Sequence, residues 1–147
     1  MVRWATLVLL SLVACSDLRE FQGTWTGPLT DNPSVLIGIS DAAVRSKATL
    51  TIDAITSHTL SARLAIPGVL PETAIATLPQ AEADVLSDIT FAGAPLKVYL
   101  AFAPLPDGGG DALAVIALYD DRRVEVRLVR GGARPLYGIF ALSEFAP

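Results

Sequence analysis

Apolar and polar residues alternate along much of the chain, and this period of two is typical of β-strands with one buried face. Between residues 47 and 54 every second side chain, ending with Ala54, is apolar. The alternation resumes over residues 60–66 after a short polar break and ends at Pro67-Gly68. Two such runs around a short break predict a β-hairpin, with Ala54 on its apolar face.

Further runs of the same character continue to the end of the chain. Residues 113–119 are apolar on both faces, as expected of a central strand that is covered on each side. In the run before it, Leu96 and Phe102 face one way and Tyr99 faces the other. The longer predicted strands are residues 96–102, 113–119, 124–129 and 136–145, and the shorter candidates are residues 24–27, 35–40, 69–78 and 88–92.

The chain therefore carries about eight to ten short strands at regular intervals, joined by turns that contain Gly and Pro. This arrangement predicts an all-β, antiparallel fold, and a small barrel and a sandwich both satisfy it. One short helix is also expected near residues 79–86, where good helix formers follow Pro79.

The first fifteen residues have a different pattern. Arg3 precedes an apolar stretch that leads into Leu12-Val13-Ala14-Cys15. This arrangement resembles a bacterial lipoprotein signal ending in a lipobox, and it predicts a cleaved signal peptide over residues 1–14. The stretch is too short to cross a bilayer, which takes about 20 apolar residues. A plain secretory signal with an incidental cysteine and a buried N-terminal strand are the competing interpretations.

The lipobox resemblance implies that Cys15 becomes the first residue of the mature chain. It would carry a diacylglyceryl thioether and often a third, N-linked acyl chain, which anchor the protein to a membrane. Ser16 follows where aspartate retains enteric-type lipoproteins in the inner membrane, so the outer membrane is expected, on either its periplasmic or its surface face. Cys15 is the only cysteine, which excludes an internal disulfide.

After the signal peptide, residues 15–22 are predicted to be a lipidated tether and residues 23–147 a single β domain. The mature chain would have 133 residues, with 10 basic against 15 acidic side chains because Arg3 is removed. The resulting net charge of −5 argues against a nucleic-acid partner, which requires a basic face. It also argues against an electrostatic hold on anionic lipid, so the acyl chains are the expected membrane contact.

The start of the β domain contains a second motif. Gly23-Thr24-Trp25 resembles the G-x-W signature on the first strand of lipocalins and related small barrels. In that family the Trp closes one end of the barrel and an Arg from near the last strand packs over its ring. The resemblance implies this role for Trp25, with Arg130 or Arg134 as the stacking partner. The alternative is that Trp25 is an ordinary core aromatic of the first strand.

Few residues offer catalytic chemistry. His58 is the sole histidine, so a multi-histidine metal site is excluded, and Asp107 with Asp111 supplies too few carboxylates for a calcium site. The polar residues around His58 lie too close together to form a catalytic triad. The arginines between residues 122 and 134 are interpreted as ordinary exposed charge. We therefore expect no enzyme, no cofactor and no metal.

These observations predict a non-enzymatic envelope lipoprotein that acts as an accessory or scaffold subunit of a cell-envelope machine for secretion, motility or assembly. Its expected partners are the membrane, through the acyl chains on Cys15, and another envelope protein. The alternative, implied by the lipocalin resemblance, is a carrier of a small apolar ligand. An envelope hydrolase is the least favoured class, because the chain lacks a convincing nucleophile and base.

Overall fold

In the computed structural model of the protein, residues 17–29, 37–39, 47–78 and 89–145 are described. A 3-10 helix (Leu18–Phe21) precedes eight antiparallel strands, and each strand pairs with its neighbours in sequence to form a closed barrel. The strands are β1 (Gly23–Pro28), β2 (Lys47–Ile55), β3 (Leu60–Ile66), β4 (Leu70–Thr77), β5 (Lys97–Pro104), β6 (Asp111–Leu118), β7 (Val124–Arg130) and β8 (Leu136–Glu144). The prediction of an all-β fold is confirmed, and of the two predicted architectures, barrel and sandwich, the protein forms the barrel.

Two of the shorter predicted strands do not appear as strands in the described residues. Of residues 35–40 the structure describes 37–39, where Ile37 forms a single bridge to Tyr137 of β8. Residues 89–92 lie outside any strand. The helix predicted near residues 79–86 falls outside the described residues.

The barrel closes where β1 meets β8. Trp25 pairs with Glu144 and Thr26 with Ser143, and a further bridge joins Leu29 to Phe140. At Gly27 a Cβ atom would collide with the backbone carbonyl of Ala141, so glycine permits the close approach of the two strands. Closure leaves neither strand with a free edge along this part of the seam.

The interior of the barrel is packed with apolar side chains. Inward residues from all eight strands form one cluster, and five of its larger members have exposed fractions between 0 and 1 %. These five are Trp25, Leu50, Leu64, Leu128 and Phe140. An eight-stranded barrel is just wide enough for side chains to fill, and here they fill it with a mixture of large and small residues.

One detail of the strand faces differs from simple alternation. A register shift between Ile52 and Ala54 adds one residue to β2, so Ala54 is exposed and Ile55 is buried instead. The placement of Ala54 on the apolar face was therefore wrong. In β5 the predicted alternation holds, because the inward side chains include Tyr99 and Phe102 points outward, where it is 45 % exposed.

The strands define two ends of the barrel. The helix end carries the 3-10 helix, the β2–β3 turn and the β6–β7 turn, and the far end carries the β3–β4, β5–β6 and β7–β8 turns. Because β8 runs from the far end to the helix end, its pairing with β1 and with β7 shows at which end a residue of those strands lies. This division determines which predicted site residues can meet.

Candidate functional site

Trp25 lies in the core at the helix end and is 1 % exposed. Its indole Nε1–H donates a hydrogen bond of 2.8 Å to the carbonyl oxygen of Phe21. The two rings stack with centroids 5.6 Å apart and an interplanar angle of 27°. The 3-10 helix is thereby fixed against the barrel, and the buried polar tip of the indole is satisfied.

The 3-10 helix has stabilising contacts at both its start and its end. The Asp17 side chain accepts a hydrogen bond from the backbone N–H of Arg19, which caps the start of the helix. Arg122 of the β6–β7 turn forms an ion pair of 2.7 Å with Glu144 at the end of β8 and lies 3.5 Å from the Glu20 carbonyl oxygen. Most of the stretch assigned to the tether thus lies against the barrel, and only Ser16 separates Cys15 from Asp17.

The structure does not bring Arg130 or Arg134 to Trp25. Arg130 pairs with Leu136 at the start of β8, whereas Trp25 pairs with Glu144 at its end. Eight residues of strand separate these positions, which is about 26 Å. Gly23 opens β1 with φ 130° and has open space around it. The arginines therefore belong to the far end of the barrel.

Arg130 covers the far end. Its register places it on the inward face of β7, and its side chain is 6 % exposed. The guanidinium donates to both carboxylate oxygens of Asp107, at 2.8 and 2.7 Å, and its Nε–H donates to the carbonyl oxygen of Arg134 at 2.9 Å. Arg134 itself donates to the Asp107 carbonyl oxygen. This bidentate pair ties the β5–β6 turn to the β7–β8 turn.

The pair makes stability sensitive to acid. The hydrogen bonds from Arg130, followed by one from the Gly109 backbone, hold the pKa of Asp107 well below its usual range. An acid whose pKa is lowered by folding stabilises the folded state above the unfolded pKa, near 4, and loses this contribution as the pH falls through the folded pKa. We therefore expect the thermal midpoint of Asp107→Asn to fall less than that of the wild type between about pH 5 and pH 3.

Thermal melts at several pH values test this expectation. Asp111→Asn is the matched control, because Asp111 is the first residue of β6 and follows the same turn. This variant should follow the wild-type acid profile. An Asp107→Asn profile parallel to that of the wild type would show that the Arg130 pair does not contribute to acid sensitivity.

The outer face of β7 holds a second ion pair. Arg127 Nε–H donates to Glu125 at 2.5 Å, and each side chain is only 9 % exposed. The Phe91 ring lies 4.7 Å from the Arg127 guanidinium carbon, in a cation–π contact. The interpretation of the arginines as exposed charge was wrong for Arg127, which the segment carrying Phe91 covers, and for Arg130, whose side chain is 6 % exposed. The alternation of apolar and polar residues along β7 could not predict this contact, because Phe91 belongs to a segment outside the strands.

A buried phenol lies close by. The Tyr119 hydroxyl is buried and has no hydrogen-bond partner among the described residues, and burial raises its pKa. Arg123 covers the Tyr119 ring at 4.2 Å. Buried polar groups therefore lie both on the outer face of β7 and at Tyr119, directly after β6.

His58 lies in the exposed β2–β3 turn. Asp53, near the end of β2, forms an ion pair of 3.1 Å with Arg63. Within the described ranges, no group of three or more His, Cys, Asp or Glu side chains is placed to hold a metal ion. In those same ranges no helix has the length and apolar character needed to cross a membrane. Cys15 lies outside the described residues.

Comparison with known proteins adds no relative. No family model matches the chain, and no curated protein or solved structure matches it either. The lipobox and lipocalin resemblances therefore stay predictions.

Proposed function

We propose that the protein is a lipid-anchored, non-enzymatic lipoprotein of the bacterial outer membrane that serves as an accessory or scaffold subunit of a cell-envelope machine. The observation that carries this proposal is the packed barrel interior. Side chains such as Trp25, Leu64 and Phe140 occupy the space in which a carrier would hold its ligand. A small-molecule pocket typically needs about 300–1,000 Å³, so the packing favours a scaffold over a carrier.

The position of the 3-10 helix supports an oriented attachment. Cys15 precedes Asp17 by two residues, which span at most about 7 Å of extended chain. Because Asp17 caps a helix that is fixed against Trp25, acyl chains on Cys15 would keep the helix end close to the membrane. The far end would then face away from the lipid, where a protein partner can reach it.

The far end has a surface suited to such a partner. A shallow apolar hollow is lined there by Pro67, Val69, Pro71 and Pro106. The prolines are exposed and Val69 is half-buried. Proline has a fixed φ and no N–H, so this surface offers rigid apolar contacts without a strand edge for β-pairing. Such a surface fits a side-chain interface with another folded protein.

Site-specific photocrosslinking tests the proposal in the intact envelope. Benzoylphenylalanine at Pro106, in the hollow, should yield a discrete crosslinked protein, because that position would touch the partner. The matched control is Ser61, which is exposed at the helix end of β3 and should not yield that product. The same product from both positions, or from neither, would contradict a partner at the far end.

A further inference from the structure

We propose that the outer face of β7 carries a binding site for a carboxylate on an aliphatic chain. Arg127 would bind the carboxylate, and a groove lined by Ile89, Thr90, Val129 and Tyr137 would hold the chain. This site lies outside the barrel and is independent of the scaffold function proposed above.

The first argument is the hydrogen-bonding capacity of Arg127 that the described residues leave unused. Its Nε–H donates to Glu125, but its terminal Nη1 and Nη2 groups donate no hydrogen bond to any described residue. The side chain is 9 % exposed, and among the described residues only the Tyr119 hydroxyl is a fully buried side-chain group without a partner, so the terminal nitrogens of Arg127 keep access to the groove. Two N–H groups on one guanidinium edge match the two oxygens of a carboxylate, which can accept both bonds in parallel.

The second argument is the fixed orientation of the guanidinium. Phe91 covers it at 4.7 Å, and Glu125 holds its Nε at 2.5 Å. These two contacts limit rotation of the side chain, so the terminal nitrogens are presented with little further ordering on binding. The same side chain forms part of the groove wall, which brings its terminal N–H groups to the ligand space.

The third argument is the character of the groove. It encloses about 370 Å³, within the size range of small-molecule sites, and Ile89, Val129 and Tyr137 make most of its wall apolar. A peptide main chain would bring N–H and C=O groups for which these residues offer few partners. An aliphatic chain has no such requirement, so the lining favours it.

Glu125 also shapes the specificity. It balances the charge of Arg127, so the site has little net attraction for a small inorganic anion. Binding then requires both the paired hydrogen bonds and burial of an apolar chain. Decanoate meets both requirements, whereas acetate lacks the chain and decanol lacks the carboxylate.

Photolabelling of the full-length protein in its membrane tests this site. A diazirine analogue of decanoic acid should label the peptides that contain Ile89 and Tyr137. Decanoate should compete at concentrations at least about tenfold lower than decanol or acetate, because only decanoate provides both features. Equal competition by decanol, or labelling confined to inward residues of the barrel, would overturn the proposal.

Two variants keep the test independent of folding. Thr90 is exposed, so Thr90→Glu should leave the core intact and place a negative charge beside the bound carboxylate. We expect it to reduce labelling about tenfold or more, whereas Thr90→Gln, its uncharged match, should label like the wild type. Equal labelling of these variants would overturn carboxylate binding, as would stronger competition by a peptide with a free C-terminus. The Pro106 crosslink is a separate readout and does not depend on either result.

Discussion

Trp25→Ala should lower the free energy of unfolding by about 3–5 kcal/mol. The indole is 1 % exposed, so truncation leaves a cavity inside a packed barrel. It also removes the hydrogen bond to the Phe21 carbonyl and the stacked ring contact. The 3-10 helix would lose its main attachment, and we expect a protease that cuts after arginine to reach Arg19 more readily.

Urea unfolding measures the effect. Trp25→Phe is the matched control, since it keeps an aromatic ring but loses the donor to Phe21. It should cost less than the alanine variant, with the lost hydrogen bond contributing about 1 kcal/mol. An unfolding midpoint that does not change in Trp25→Ala would rule out a buried Trp25 at the helix end.

The hairpin and most of the later strands could be predicted from the sequence because their alternation is local. Leu60–Ile66 begins and ends as predicted, and β7 extends only one residue beyond its prediction. Alternation records which side chains share a face, and apart from the register shift at Ala54 the hairpin keeps that pattern. Whether the strands formed a barrel or a sandwich could not be decided, because closure depends on the distant pairing of β1 with β8.

The choice of the inward face in β5 shows a limit of hydrophobicity alone. Leu96 and Phe102 are more apolar than Ala101, yet both are at least 40 % exposed while Ala101 is buried. A narrow barrel has limited interior space, and the large Trp25 and Phe140 side chains already occupy part of it. Small residues therefore fit inside where larger ones would overpack.

The candidate sites were harder to predict than the fold. Trp25 lies at the helix end of the barrel, buried in the core. Its contact with Phe21 joins residues only four apart, but Arg122 meets Glu144 only because the barrel closes. The burial of Arg127 could not be predicted either, because it depends on the contact with Phe91, and alternation carries no information about that contact.

Cys15→Ser should abolish lipid anchorage. The cysteine sulfur is the atom that would bear the diacylglyceryl group, and a serine hydroxyl does not replace it in lipoproteins of this type. Each methylene buried in the bilayer contributes about 0.8 kcal/mol, so loss of two or three acyl chains outweighs any single side-chain contact. We expect the variant to accumulate as an unprocessed precursor that still carries residues 1–14.

Cell fractionation followed by mass measurement of the chain tests this expectation. Ser16→Ala keeps the cysteine and changes the next residue, so it is the matched control and should be processed and anchored like the wild type. A Cys15→Ser chain that is cleaved before residue 15 and still sediments with the outer membrane would rule out the lipobox.

The intact mass of the wild-type protein extracted from outer membranes tests the central claim, a barrel anchored by its first mature residue, most directly. We predict a chain that begins at Cys15 and carries the added mass of two or three acyl chains on that residue. A mature chain that begins elsewhere, or one with the mass of the polypeptide alone, would contradict the account.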